Sequence, residues 1–239
     1  MTAAFVLDIE GTTSPTVAVH GALFDYFRER IRPWVQQHGG GSGKLILDDA
    51  RRYGDRPDAT DADTAEMLRE WLDANVKCGP LKTLQGMICS EAFRNGELHG
   101  EFFPDVAPAL RRWRSAGARI YVYSSGSERN QRDWFTYARD GRLDGFLDGY
   151  FDLATAGSKR TAAAYRRISE AIGIAAAETL FLTDLPAELD AATEAGWPVI
   201  GVARPGEPQE PVPPHEWINS FDEVEVDTRA VLAARNGHG

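Results

Sequence analysis

Apolar and polar positions divide the chain into two kinds of pattern. Four short runs, AFVLD (4–8), RIYVYS (119–124), TLFLTD (179–184) and PVIGVA (198–203), are apolar almost throughout and end on turn-forming residues. Continuous runs of this length, rich in Val, Ile, Tyr and Phe, predict strands buried on both faces of a parallel sheet. A fifth and weaker run is GYFDLA (149–154). Between them stand helical patterns over 105–117, 127–138, 159–173 and 186–196. The first and last of these close on Gly117 and Gly196, placed like helix C-caps. Strand and helix in alternation predict an α/β fold, a doubly wound, mostly parallel, Rossmann-like sheet.

Residues 16–102 break that rhythm. They offer no strand, only helical patterns over VAVHGALFDYFRERIRPWVQQ, ADTAEMLREWLDANVK and PLKTLQGMICSEAF, interrupted by a flexible GGGSG at 39–43. The expected organisation is a sheet domain over 1–15 and 103–239, with a helical domain, 16–102, inserted after the first strand. From Pro205 the chain turns irregular, carrying Pro205, Pro208, Pro211, Pro213 and Pro214. WINSFDEVEV is read as a last strand and helix turn, and AARNGHG as a frayed end.

Composition narrows the class. Of 239 residues, 43% are hydrophobic and 26% charged, as in an ordinary globular protein, and the net charge is −10. An acidic chain argues against nucleic-acid and membrane-surface partners, which select a basic face. An anionic substrate would need the charge reversed locally by a metal or a placed Lys. The two cysteines, Cys78 and Cys89, fit no metal or disulfide pattern and read as reduced thiols of a cytoplasmic protein. The start, MTAAFVLDIEG, lacks the basic region of a signal peptide. No stretch approaches the ~20 apolar residues of a membrane span.

Ligands of open α/β sheets collect beyond the carboxyl ends of the strands. There the first strand delivers Asp8, Glu10, Gly11, Thr12 and Thr13, and the second Ser124, Ser125, Gly126 and Ser127. Lys159 opens the helix after the third strand in chain order, and the next strand ends in Thr183 and Asp184. Each has an ordinary explanation taken singly. An acid after a strand is usually a cap or turn residue, Ser-Ser-Gly-Ser a loop, and Lys159 a solvated helix residue. Together, at one edge and in this order, they suit phosphoryl transfer. Asp8 can attack phosphorus. Glu10 can protonate the leaving oxygen and then activate water. Ser124 with the N–H groups of Ser125 and Gly126 can hold phosphate oxygens, and Lys159 adds positive charge. The carboxylates suit Mg²⁺.

At these residues the sequence resembles the haloacid dehalogenase superfamily of phosphohydrolases, whose four motifs it matches in order at Asp8-x-Glu10-Gly11-Thr12, Ser124, Lys159 and Asp184. The resemblance implies that Asp8 is the nucleophile. It also implies a Mg²⁺ held by Asp8, by the main-chain carbonyl of Glu10 and by Asp184. Most phosphatases of the superfamily carry Asp where Glu10 stands. DIEGTTSP, YVYSSGSERNQ, SKRTAAAYRRI and FLTD, with PLKTLQG, FRNGEL and FFPDV, resemble the enolase-phosphatases of methionine salvage over nearly the whole chain. That family enolises 2,3-diketo-5-methylthiopentyl-1-phosphate and dephosphorylates it to 1,2-dihydroxy-3-keto-5-methylthiopentene. The resemblance implies a cytoplasmic monomer with Mg²⁺ as its cofactor, a small phosphate ester as substrate, and a helical cap that closes over the site. Leu84, Met87 and Phe93 would line that pocket or pack the cap. Cys89, where the family habit is Trp, and the charged stretch 128–145 depart from the pattern, although Gln131 keeps its position. The other readings are a phosphatase for another small ester, a dehalogenase, and a catalytically silent binding protein. A dehalogenase would have little use for Glu10 with Asp184, and a silent protein would be expected to lose Asp8 or Lys159.

Overall fold

The computed structural model describes residues 2–76 and 78–225. The predicted apolar runs form strands β1 (Ala4–Leu7), β2 (Arg119–Tyr123), β3 (Gly149–Phe151), β4 (Thr179–Thr183) and β5 (Val199–Val202). A two-residue β6 (Trp217–Ile218) follows, and then a 3-10 turn at Phe221–Glu223. All pair in parallel, in the order β3-β2-β1-β4-β5-β6. Leu7 aligns with Val122 on one side and Leu182 on the other. The residues that follow β1, β2 and β4 therefore leave the sheet side by side. Strand order reverses between β1 and β4, and such a switch point opens a crevice for a ligand.

Side chains alternate across β1. Ala4 and Val6 join a buried cluster with Tyr121, Tyr123, Phe181 and Trp197, closed by Tyr165 and Ile168 of one helix and Ala191 and Ala192 of another. Phe5 turns the other way and stacks on Trp113 at 4.1 Å between ring centroids, with Phe221 behind at 5.3 Å. The central strand is thus buried on both faces, as its unbroken apolar run requires.

The chain divides into two compact units, one formed by residues up to Thr16 and from Gly100 on, the other by Val17–His99. The second unit is helical. It holds α1 (Thr16–His20, entering from the first unit) continued by a π-helical turn (Gly21–Asp25), α2 (Tyr26–His38), α3 (Lys44–Tyr53), α4 (Asp61–Asp73) and α5 (Gly79–Arg94). Helix α2 packs on α4 and α5, and α3 on both of those. A capping box between Thr60 and Asp63 starts α4. The helix predicted to run on to residue 77 stops at Asp73, because Asn75 takes a positive φ of 55°. Helix α3 was not legible in the sequence. It is short and follows the glycine run, yet it buries Ile46, Leu47 and Ala50 on one stripe. The glycine run itself is a hydrogen-bonded turn in which the N–H groups of Gly41 and Gly43 donate to the His38 carbonyl. Leu84 and Phe93 are buried and Met87 is half-buried.

In the sheet unit, the helices are α6 (Val106–Ser115), α7 (Glu128–Thr136), α8 (Ala162–Ile172) and α9 (Pro186–Glu194). Gly117 and Gly196 follow α6 and α9 with φ of 84° and 86°, as C-terminal glycines do. Two predicted extents shorten. Strand β3 ends at Phe151 because Asp152 folds back, its Oδ1 accepting from the N–H groups of Ala154 and Thr155. Lys159 does not open a helix. Helix α8 begins at Ala162, and Lys159 lies in the preceding turn, where the Tyr165 hydroxyl donates to its carbonyl at 2.8 Å. The frayed end expected at 233–239 lies outside the described residues. No helix among the described residues is long and apolar enough to cross a membrane.

Replacing Phe5 with Ala removes the ring stacked on Trp113 from the sheet centre. The expected loss is about 3–5 kcal/mol of stability, read as a lower urea midpoint.

Candidate active site

Beyond Leu7 the chain leaves β1 and wraps on itself. The N–H groups of Thr12, Thr13 and Ser14 converge on the Ile9 carbonyl at 3.2, 2.9 and 2.8 Å. The Thr13 hydroxyl donates to the carbonyls of Asp8 and Ile9. Such a turn needs a left-handed residue, and Gly11 supplies it with φ +69°. A Cβ there would also meet Asp184 Oδ2 at 2.5 Å, so glycine lets the ends of β1 and β4 approach. The turn is held from outside by the buried Arg204, whose Nε donates to the Thr12 carbonyl at 2.9 Å. Phe103 N–H donates to the Thr13 carbonyl, and Trp134 Nε1 to the Ser14 hydroxyl. Arg204 lies over the rings of Phe103 and Phe221 at 4.6 and 4.5 Å and pairs with Asp105 at 2.6 Å.

This framework presents Asp8 in one orientation. Its Oδ1 accepts from Ile9 N–H and from Lys159 Nζ, both at 2.7 Å, and its Oδ2 from the Thr183 hydroxyl at 3.1 Å. Lys159 Nζ also sits 2.7 Å from Glu188 Oε2, which the Thr183 hydroxyl approaches at 2.8 Å. Asp8, Lys159 and Glu188 are 4%, 6% and 4% exposed, so this is a buried carboxylate–ammonium–carboxylate triad. Burial works against the Lys159 ammonium, but Asp8 and Glu188 outweigh it and hold it firmly protonated. Burial, with Asp8 alongside, pushes the Glu188 carboxyl above its usual range against the opposing pull of Lys159. Asp184 is pushed up to about 8, by burial first and then by the Asp8 charge.

Three carboxylates thus share one ammonium. A proton retained on Asp184 near neutral pH marks a place where positive charge is short, which suits a divalent cation with oxygen ligands. Among the described residues, no group of three or more His, Cys, Asp or Glu side chains is arranged as a metal site. Asp8 and Asp184 are the carboxylates at this edge that could hold such a cation, with a main-chain carbonyl and water as further donors. Glu10 lies in the same turn, half-buried, with its backbone bridged to Ser14.

Ser124, Ser125 and Gly126 leave the neighbouring strand β2 and lead into α7, whose N-cap Ser127 accepts from the Asn130 N–H. Gly126 N–H approaches the Ser124 hydroxyl at 3.4 Å. Asp8, Glu10, Ser124, Ser125, Gly126, Lys159 and Asp184 stand at this edge of the sheet unit, whereas Leu84, Met87, Cys89 and Phe93 belong to the helical unit. Glu188 and Thr183 were missed. Glu188 lies four residues beyond Asp184, in the first turn of α9, where an acid is explained well enough by the helix dipole. That spacing was the one available signal. From the sequence Thr183 is named only as a strand end, and Arg204 is not singled out at all.

Lys159→Met tests the triad in EDTA, since it leaves two buried carboxylates facing each other. The expected loss at pH 7 is about 3–5 kcal/mol. In that variant the folded carboxyls titrate above their unfolded values, so protonation favours the folded state. The deficit should be full above the raised values and shrink as pH falls through them toward about 4. Urea titrations of both proteins across that range check it.

Comparison with known proteins gives this geometry a family. Residues 2–196 match the model of the haloacid dehalogenase-like hydrolases. Enolase-phosphatase E1 of Nocardia farcinica is 56% identical over 95% of this chain and 97% of its own length. Enolase-phosphatase E1 of Frankia alni is 48% identical over 93% and 94%. The UTR4 protein of Saccharomyces cerevisiae superposes with a TM-score of 0.83 at 30% identity, covering 94% of this chain and 100% of that one. The putative hydrolase YfnB of Bacillus subtilis, solved bound to magnesium, shares the fold at a TM-score of 0.56 and 14% identity, covering 93% and 97%. The chain belongs to the haloacid dehalogenase-like hydrolases and, within them, to the enolase-phosphatase E1 family.

Proposed function

We propose that the chain converts 2,3-diketo-5-methylthiopentyl-1-phosphate to 1,2-dihydroxy-3-keto-5-methylthiopentene and phosphate in methionine salvage, with Asp8 as the nucleophile. The observation that carries the site assignment is the Asp8–Lys159–Glu188 triad at the switch point of the sheet. A buried carboxylate clamped by an ammonium and a hydroxyl is held in one direction, as an attacking group must be.

The reaction has two halves. In enolisation a proton leaves the carbon that bears the phosphate ester, and one from solvent reaches the oxygen of the adjacent carbonyl. Glu10 is the residue proposed for the proton on carbon. In phosphoryl transfer an Asp8 carboxylate oxygen bonds to phosphorus while the ester oxygen departs, taking a proton from Glu10. Water then attacks the phosphorus of the Asp8 acyl phosphate and gives its proton to Glu10. Phosphate departs, Glu10 returns that proton to solvent, and both carboxylates are restored. Ser124, Ser125 and Gly126 hold the phosphate oxygens, and Lys159 balances the charge gathering on the Asp8 side.

Mg²⁺ is proposed as the cofactor, held by Asp8, Asp184 and the Glu10 carbonyl. When bound it would shield the anionic phosphate from the anionic nucleophile. Its support is the donor set and the Asp184 carboxyl that keeps its proton to about pH 8. The same reading takes the protein as a cytoplasmic monomer. Cys78 and Cys89 are buried and not joined in a disulfide, in keeping with a reducing compartment.

The test follows phosphate release and the ultraviolet absorbance of the enediol together, with and without EDTA. Both signals should rise with this substrate and both should vanish on chelation. Phosphate from generic esters with no enediol from this substrate would instead identify a phosphatase for another small ester. Glu10→Asp draws the carboxyl back by one methylene. It should slow enolisation by on the order of 10²-fold while phosphate release from a simple ester falls far less. Equal losses in the two assays would contradict the double role of Glu10.

A further inference from the structure

We propose that Gln131 is a positioning residue that shapes the phosphate seat, acting through the peptide groups of the Ser124–Ser127 loop rather than on substrate. The inference rests on the reading of that loop as the phosphate seat. Gln131 lies on the first turns of α7 and is 1% exposed. Its Nε2 approaches three carbonyl oxygens, those of Gly126 and Phe151 at 2.8 Å and that of Ser124 at 3.4 Å. Its Oε1 is buried with no hydrogen-bond partner. The amide can stand only this way round, since the flipped form would set Oε1 against three carbonyl oxygens.

The consequence follows from peptide geometry. In a trans peptide the C=O and the following N–H point in opposite directions. Drawing the Ser124 carbonyl inward turns the Ser125 N–H outward, and drawing in the Gly126 carbonyl does the same for the Ser127 N–H. Ser125 is correspondingly exposed while Gln131 is buried. The Phe151 carbonyl also accepts from Ser124 N–H at 3.2 Å, so Gln131 ties the loop to the end of β3 as well. One side-chain amide thus sets which face of the loop carries donors. Without it, the carbonyl dipoles of Ser124 and Gly126 are free to rotate toward an incoming anion and repel it.

Gln131→Met keeps the length and volume of the side chain and places a methyl where Nε2 stands. The probe is inorganic phosphate as a competitive inhibitor, with the Mg²⁺ activation constant and the thermal midpoint measured alongside and Ser124→Ala as control. The proposal expects the phosphate inhibition constant to rise about tenfold while the Mg²⁺ constant stays within about twofold. A purely structural role would lower the thermal midpoint and leave the phosphate constant unmoved. Gln131→Glu decides the same point if the Met variant does not fold. Ionised, it faces three carbonyl oxygens, so its phosphate constant relative to wild type should be worse at pH 8 than at pH 6. If Ser124→Ala weakens phosphate binding and the Gln131 variants do not, the inference is overturned and the seat stands. If Ser124→Ala also leaves the constant unchanged, the reading of the seat falls and the inference with it.

Discussion

The ammonium of Lys159, held between Asp8 and Glu188 at 2.7 Å on each side, is the constraint on which the site depends. Burying two carboxylates near a third is strongly unfavourable without a compensating cation. The chain meets that cost with a single Lys. It comes from a turn before α8 and reaches beneath the ends of the two strands that carry Asp8 and Thr183. Such a buried triad is not expected to add net stability over an apolar replacement. Its effect is to fix direction, so that Asp8 offers a carboxylate oxygen in one orientation while Asp184 stays short of positive charge. The protein's own cation and the proposed metal are therefore complementary.

The sheet makes that arrangement possible. Parallel strands bring the segments after β1, β2 and β4 out at one edge, and the reversal between β1 and β4 separates the helices that follow them. The loops at this edge are then held against the sheet unit by side chains from distant sequence. Arg204 grips the Thr12 carbonyl from 192 residues away, with Asp105 and the rings of Phe103 and Phe221 fixing the guanidinium. Gln131 does the corresponding work for the loop after β2. Rigid strands set where the loops begin, and buried polar side chains set which way their peptides face.

Much of this was legible in the sequence because it is written in short-range pattern. The apolar runs gave β1, β2, β4 and β5 to within a residue or so, and the acids and hydroxyls that follow them fell at the expected edge. What escaped notice is held by contacts between residues far apart in the chain. Glu188 has an adequate local explanation as an acid in a first helical turn, and nothing local distinguishes it from one that pairs with a buried lysine. Arg204 looks like a surface cation, and Gln131, noted only for its position, shows no role, until the fold brings carbonyls against them. Lys159 was identified for its chemistry yet assigned to a helix. Its carbonyl is taken by Tyr165 and its ammonium by the triad, and α8 starts only three residues later. The stripe of α3 was obscured by the glycine run before it.

The central claim is that phosphorus passes through the Asp8 carboxylate. The most direct measurement is to quench the enzyme in acid during turnover, reduce with borohydride and map the peptides. Reduction converts an aspartyl phosphate to homoserine and leaves a free carboxylate untouched. The account predicts homoserine at position 8, dependent on substrate and absent in Asp8→Asn, which should not turn over. Homoserine at another acid, or full turnover by Asp8→Asn, would contradict it.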